Sequence, residues 1–450
     1  MPTLSEQLAA FGHELSFEQI PEDVTSFAKL LVLDLLGVAL AAKTTEEWPI
    51  TLAACLVLGG ASESATLWGT GRKSTPQSAA LFNGIVAHAL ELDDFNGVDH
   101  SGAVVLPALF AAAEMRPDVT GAQLLTAMVF GYEVGRRLLD AAGGYRVHNA
   151  AGWHTTGTCG SFAAAAAVAK LWDLPPKDIT WALGVAGSFT GGVWAFGADG
   201  AMSKRYHAGR AAETGLVAAT LASQGFTGPK EIFEAPWGGY ANTYAAGNFD
   251  ASKMVSDLGE DLRLAMAGIK PYACCRGLHS TVDAVLAMRQ EPGFDADAIS
   301  DVGVRCTPGQ AVQLGNGTPV TRLQAQFSLP YSFAVAAIKG RASLAEFSGR
   351  LDDRATRELA ARVRIQPEPD LGKEWEPELT VSLSDGTVLT KQVNVALGDA
   401  RNPLPRAAVI NKYRGLMELG AKPESAAEIE EITLGLEAPA ALGRLLTLLS

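Results

Sequence analysis

The sequence lacks three features that would place the protein among common classes. No basic stripe offsets its net charge of −13, so a nucleic-acid partner is not expected. Its longest apolar stretches, such as residues 27–42, are interrupted by charges (here Lys29 and Asp34) and fall short of the roughly 20 apolar residues of a membrane span. The first residues show neither the basic nor the apolar region of a secretory signal. We therefore expect a cytoplasmic protein without a membrane partner.

Cysteine spacing and cofactor motifs are also missing. The five cysteines are an odd number without C-x-x-C spacing, which favours reduced thiols over a disulfide framework. The sequence contains no G-x-G-x-x-G after a predicted strand, no P-loop, no H-E-x-x-H and no G-x-S-x-G. Nicotinamide, nucleotide, zinc-protease and α/β-hydrolase chemistry thus lack their signatures. We expect no cofactor.

Apolar residues dominate what is present. At 450 residues and 48% hydrophobic, the chain can bury a large core and should form two or more domains. Apolar residues recur at three- and four-residue spacing from about residue 4 to residue 268, which predicts helices almost throughout. Residues 160–171 and 210–224 are rich in alanine and glycine, which favours close helix packing.

The pattern changes after Lys270. Residues 302–306 and 362–366 are typical of short strands, and residues 378–393 alternate around an Asp-Gly turn, which predicts a hairpin. Helical patterns intervene at 280–289, 323–339 and 354–361. The prediction is a mainly α protein, with a large all-helical domain over residues 1–268 and 401–450 and an inserted, smaller α+β domain over residues 269–400.

An acidic loop that ends at His100 is a candidate site, because histidine titrates near neutral pH and serves as acid or base. Glu91, Asp93 and two further aspartates precede this histidine. The alternatives are a solvated acidic loop and a divalent-metal site, although no spacing here is specific for a metal.

Two more loops precede alanine-rich helices. His154 stands in the glycine-bounded segment 152–160, where a helix N-terminus can hold a carboxylate, or where a threonine simply caps the helix. Lys204, Arg205 and His207 belong to a cationic run, 203–210, which in an acidic protein predicts an anion site or else a solvated surface.

Residues 270–279 lie at the predicted domain junction, where ligand pockets are common. The segment contains Lys270, Tyr272, Cys275 and His279. If a helix begins early there, the cysteine and the last histidine share a face at i, i+4, so a thiolate pair and a nucleophilic Cys/His enzyme form a rival hypothesis.

Taken together, these segments resemble the MmgE/PrpD family over essentially the whole chain. The motifs that carry the resemblance are residues 88–94 (HALELDD), 100–108 (HSGAVVLPA), 152–158 (GWHTTGT), 204–212 (KRYHAGRAA), 225–229 (GFTGP) and 270–272 (KPY), leading through Cys275 to His279. The resemblance implies a two-domain fold, a homodimer, and a site between the domains without metal or organic cofactor. The family includes 2-methylcitrate dehydratase, cis-aconitate decarboxylase and iminodisuccinate epimerase.

The resemblance also implies roles for the candidate residues in a carbanion-like step beside a substrate carboxylate. Lys204, Arg205 and Lys270 would bind carboxylates and stabilise charge, and His100 and His154 would act as base and acid. Second choices are His279 and Asp93 as orienting residues and Tyr272 as a proton donor. The remaining candidates, all for substrate binding, are Glu91, Cys275 and His207.

Differences from the decarboxylases of the family indicate which reaction to expect. Phe95 and Cys275 stand where decarboxylases carry a threonine and a histidine, which disfavours cis-aconitate decarboxylation. We therefore predict a lyase that removes water from a small anionic di- or tricarboxylate, like 2-methylcitrate dehydratase. The alternatives are an epimerase of an amino- or imino-dicarboxylate and a non-catalytic binding protein.

Overall fold

The computed structural model describes residues 1–245, 247–348, 351–372 and 375–450, and it divides into two compact units. The first unit comprises residues 1–194, 203–269 and 405–450, and the second comprises residues 195–202 and 270–404. Helices make up 57% of the structure and strands 8%, which confirms the prediction of a mainly α protein.

The first unit begins with helices separated by short loops. They are α1 (Leu4–Glu14), α2 (Glu22–Ala41), α3 (Glu47–Gly59), α4 (Pro76–His88), α5 (Ser101–Met115), α6 (Gly121–Ala141), α7 (Gly144–Ala150), α8 (Thr155–Thr158), α9 (Gly160–Leu171), α10 (Pro176–Gly187), α11 (Ser203–Ser223), α12 (Tyr240–Thr243) and α13 (Ser252–Val255). A two-stranded antiparallel ribbon, β1 (Ala65–Leu67) with β2 (Arg72–Ser74), lies between α3 and α4 in the sequence and was not predicted. Its strands have three residues each, too few for a period-two pattern to be recognised.

Helix α11 occupies the centre of the first unit and packs against α4, α9, α5 and α10. The approach to α4 is close because two glycines meet: a Cβ added at Gly84 would lie only 2.7 Å from Cα of Gly209. Since α4 ends at His88 and α11 begins at Ser203, this contact fixes the C-terminus of one helix near the N-terminus of the other. The candidate site forms there.

Helix α2 is the central apolar helix of the N-terminal part. Within the described residues, only the segment Glu22–Thr44 is long and apolar enough to cross a membrane, and 78% of its most apolar window is buried inside the protein. Asp34, in its middle, forms an ion pair of 2.7 Å with Lys412. Burial and an internal ion pair are typical of a core helix.

The second unit contains helices and a mixed sheet. Its helices are α14 (His279–Met288), α15 (Pro308–Leu314), α16 (Arg322–Gln326), α17 (Leu329–Lys339), α18 (Leu344–Ser348) and α19 (Arg354–Ala360), and its strands are β3 (Ile299–Cys306), β4 (Val363–Pro367), β5 (Glu378–Leu383) and β6 (Val388–Gln392). The strand order is β4-β3-β5-β6, with β3 parallel to β4 and antiparallel to β5. The predicted hairpin is the β5–β6 pair.

Three C-terminal helices belong to the first unit: α20 (Arg406–Leu419), α21 (Ala426–Leu434) and α22 (Ala441–Leu448). Helix α20 packs against α2 and supplies Lys412. The N-terminal and C-terminal parts of the chain therefore share one core.

Candidate active site

Five polar side chains of the first unit, four of them predicted site residues, lie at helix ends. His88 ends α4, His100 and His154 occupy the N-cap positions of α5 and α8, and Lys204 and Arg205 lie in the first turn of α11. The cationic run was expected before the helix, but α11 already begins at Ser203, so helix geometry orients its side chains. All five side chains are buried.

The loop between α4 and α5 is strained. Glu91, Asn96 and Asp99 adopt left-handed backbone conformations, with φ of 55°, 71° and 103°. Such conformations are costly for residues other than glycine, and they persist where the surroundings enforce them, often at functional sites. The carboxylate of Asp94 accepts a hydrogen bond from the backbone N–H of Gly102 at 2.8 Å, which anchors the loop to the start of α5.

Glu91 pairs with two cations in the first turn of α11. Its Oε2 lies 2.8 Å from Nζ of Lys204 and also accepts a hydrogen bond from the guanidinium of Arg205. These side chains are only 1–2% exposed. A substrate carboxylate that uses the two cations must therefore share them with Glu91.

Asp93 bridges two imidazoles. Its carboxylate lies 3.1 Å from Nδ1 of His88 and 2.8 Å from Nδ1 of His100. Burial alone would raise the pKa of Asp93, but the neighbouring His100 and His88 hold this pKa well below its usual value. The pKa of His88 is also far below normal, because of burial and the nearby His100 and Lys204. Asp93 is thus ionised and His88 neutral at neutral pH.

Lys204 lies at the Nε2 edge of the His88 and His100 rings, opposite the edge that contacts Asp93. Its Nζ is 2.8 Å from Nε2 of His88 and 3.5 Å from Nε2 of His100. The ammonium also lies 2.8 Å from Oε2 of Glu91. Sequence reasoning did not select His88 as a site residue, although its position five residues before Asp93, in a family motif, was a usable signal.

His154 and His207 form a second imidazole pair. Their Nδ1 atoms are 2.9 Å apart, and Nε2 of His154 lies 3.3 Å from the hydroxyl of Thr156. Burial, followed by the positive charge of Lys204, lowers the pKa of His207 to about 4 and that of His154 well below normal. Two neutral rings in this geometry share one proton, with one Nδ1 donating and the other accepting.

Asp94, next to Asp93 in the loop, contacts a buried tyrosine. The hydroxyl of Tyr132 lies 2.8 Å from its Oδ2. Burial and the adjacent charge of Asp93 raise the pKa of Asp94 to about 8. This side chain is therefore largely protonated at neutral pH, unlike its neighbour.

The remaining predicted residues belong to the second unit. Lys270 is fully buried, and the hydroxyl of Tyr272 donates to Asp283, with a pKa raised by burial and by that carboxylate. The helix does not begin early enough for Cys275 and His279 to share a helical face. Residues 276–278 form a 3-10 turn, and α14 begins only at His279. Nε2 of His279 lies 3.3 Å from a backbone carbonyl, that of residue 274.

Two groups of side chains have metal-ligand spacing among the described residues. One atom each from His88, Asp93 and His100 lies within 4.8 Å of the others, as does one each from Asp99, His100 and His154. Ligation through Nδ1 of His88 would leave an N–H on its Nε2, facing the ammonium of Lys204 at 2.8 Å. Two donors would then oppose each other, so the first group fits an ammonium better than a metal.

Comparison with known proteins agrees with the sequence motifs. The MmgE/PrpD N-terminal domain matches residues 6–252, and the MmgE/PrpD C-terminal domain matches residues 272–438. The chain is 28% identical to cis-aconitate decarboxylase of Aspergillus terreus, across 99% of this chain and 96% of the relative. It is 27% identical to cis-aconitate decarboxylase of Homo sapiens, across 92% and 88%. The two domain matches cover most of the sequence, which confirms the predicted resemblance, and the chain belongs to the MmgE/PrpD family.

Proposed function

We propose that this protein is a lyase that acts on a small tricarboxylate through a carbanion-like step next to a carboxylate. The observation that carries the proposal is the buried cluster in which Lys204 contacts two imidazoles and a carboxylate. Such a cluster combines a cation that stabilises developing negative charge with nitrogen atoms that can transfer a proton.

Loss of carbon dioxide is the first candidate reaction. The relatives named above are cis-aconitate decarboxylases and align with nearly the whole chain. This supports decarboxylation over the loss of water that the sequence alone favoured. In this reaction a carboxylate leaves as carbon dioxide, its electron pair remains on carbon, and a proton from the protein replaces it.

Loss of water from a hydroxylated tricarboxylate is the second candidate. Phe95 and Cys275 favour it, because they stand where the resemblance leads us to expect a threonine and a histidine in decarboxylases. Assembly as a homodimer, a cytoplasmic location and the equivalence of the second unit to the family's inserted α+β domain are further proposals.

A substrate panel tests the function. Purified protein is incubated with cis-aconitate and with citrate-like, malate-like and aspartate-like acids, and three signals are recorded: carbon dioxide, alkene absorbance and inversion of configuration. Carbon dioxide from cis-aconitate is the expected result. Alkene absorbance that grows without carbon dioxide would favour the dehydratase, inversion without either signal would favour an epimerase, and no turnover of any acid would favour the binding protein.

A further inference from the structure

The arrangement of Asp93 raises the question of which protons the two neighbouring imidazoles carry. A carboxylate only accepts hydrogen bonds, so each ring nitrogen that contacts it must be an N–H donor. Nδ1 of His88 and Nδ1 of His100 both contact this carboxylate, at 3.1 and 2.8 Å. Both rings therefore carry a proton on Nδ1.

The opposite nitrogen of each ring faces Lys204. Nε2 of His88 lies 2.8 Å from the ammonium, which can only donate, so this nitrogen must present a lone pair. Nε2 of His100 lies 3.5 Å from the same atom. One carboxylate on the Nδ1 side and one ammonium on the Nε2 side thus define the tautomer of His88. Nε2 of His100 also lies 3.4 Å from the carboxylate of Asp99 and 3.8 Å from that of Glu91, so in His100 the contact with Asp93 determines the proton on Nδ1 alone.

We propose that Asp93 is a positioning residue that fixes His88 and His100 as Nδ1–H donors and, through the Nε2 lone pair of His88, directs the ammonium of Lys204. The kinetic consequence rests on the lyase activity proposed above, whereas the tautomers do not. Asp93 acts through these three side chains.

The Asp93→Asn variant tests this role. An asparagine side chain has one acceptor oxygen and one donor NH2 group, so it can accept from one ring but must donate to the other. The second ring then changes to Nε2–H and points a donor toward Lys204. A carboxylate-to-amide change that leaves a catalytic histidine in the wrong tautomer lowers kcat by as much as about 10⁴-fold in serine proteases. We expect kcat to fall at least about 100-fold, with KM changed less than about 3-fold.

Asp94→Asn is the matched control. Asp94 is adjacent and equally buried, but its carboxyl group contacts Tyr132 and the backbone of Gly102 rather than a histidine. Since its pKa of about 8 leaves it largely protonated at neutral pH, the amide replaces a neutral group of similar shape. We expect kcat within about 3-fold of the unsubstituted protein, because the tautomers are unaffected.

Nitrogen-15 NMR of histidine-labelled protein gives a readout independent of activity. Signals are assigned with His88→Gln and His100→Gln, and ring couplings identify the protonated nitrogen. In the unsubstituted protein we expect Nδ1–H on both rings, and in Asp93→Asn we expect one of the two rings to lose its Nδ1 proton.

Two results would overturn the inference: in the unsubstituted protein, Nε2–H on His88 or a missing Nδ1 proton on either ring; and in a folded Asp93→Asn variant, Nδ1 protons that are unchanged on both rings. Because the first needs no variant, the test survives if the substitution prevents folding. If the tautomers behave as expected but no acid in the panel is turned over, the proposed function fails and the positioning role of Asp93 stands.

Discussion

At the residue scale, Lys204 is the side chain on which the site depends most. Its ammonium contacts Glu91, His88 and His100 within 3.5 Å in a buried setting. A charge-assisted hydrogen bond contributes about 1.5–3 kcal/mol, and about 1.4 kcal/mol corresponds to a tenfold change in rate. Lys204→Ala should therefore lower kcat/KM for a tricarboxylate about 10- to 150-fold in steady-state kinetics.

Lys29→Ala is the control for the loss of a largely buried lysine that forms an ion pair. Lys29 is 12% exposed and lies 2.8 Å from the carboxylate of Glu437. This pair joins α2 to the segment between α21 and α22. We expect this variant to lower the melting temperature while keeping kcat/KM of the folded protein near that of the unsubstituted protein. Equal kinetic losses in the two variants would mean that Lys204 acts through stability alone.

A pH effect on stability follows from Asp94. Its pKa is raised to about 8 in the folded protein, mainly by burial, against about 4 in an unfolded chain. Between these values the folded state binds more protons than the unfolded state, so this group lowers the free energy of unfolding as pH rises. The slope for one group is at most about 1.4 kcal/mol per pH unit.

Asp94→Asn removes this titration. The free energy of unfolding of the variant, minus that of the unsubstituted protein, should increase between about pH 5 and pH 8 in denaturant titrations. Other groups titrate in both proteins and cancel to first order. A difference that stays constant over this pH range would show that Asp94 is ionised in the folded state.

At the element scale, the position of the site depends on the contact between α4 and α11. Gly84→Ala would place a methyl group 2.7 Å from Cα of Gly209, which is backbone and cannot rotate away. Overpacking of this kind costs about 1–3 kcal/mol. The helices should separate, move His88 away from Lys204, and lower both the free energy of unfolding and kcat/KM.

Gly415→Ala in α20 is the matched control, because among the described residues nothing beyond its chain neighbours and the backbone of its own helix lies within 4 Å of the added Cβ. Replacing an exposed helical glycine with alanine is favourable by up to about 1 kcal/mol. The control should be at least as stable as the unsubstituted protein. Gly84→Ala with unchanged activity would show that the helix contact does not position the site.

Periodicity predicted long elements well and their ends less well. Helix α9 spans the predicted residues 160–171, because its alanine-rich sequence is uninterrupted. The helix expected over 323–339 instead breaks between α16 and α17, where Ser328 caps a new helix that has Pro330 in its first turn. Proline at that position begins a helix, a signal stronger than the apolar spacing on either side.

At the scale of the whole molecule, the sequence identified the family but not the pairing within the site. Glu91 and Lys204 are separated by 113 residues, and no local pattern shows that they form an ion pair. Motifs identified His100, His154 and Lys204 as candidates, while the joint contact of Asp93 with His88 and His100 required the folded loop. Local sequence shows residue types, and the fold determines which of them meet.

Chelation tests the prediction that no metal takes part. Exhaustive EDTA treatment should leave activity unchanged, because the ammonium of Lys204 occupies the Nε2 side of His88 where a metal-bound ring would present a donor. Activity lost on chelation and restored by one equivalent of a divalent ion would contradict the prediction. Magnesium-loaded EDTA serves as the control for effects of the chelator itself.

The central claim is that side chains of this cluster move a proton at carbon, and turnover of cis-aconitate in D2O tests it most directly. If the protein removes carbon dioxide, each product molecule should carry one deuterium bonded to carbon, detected by mass spectrometry and NMR, because the replacing proton comes from a group that exchanges with solvent. Lys204→Ala should form this product 10- to 150-fold more slowly, as estimated above from about 1.5–3 kcal/mol. Product formed at the normal rate without deuterium would contradict the account.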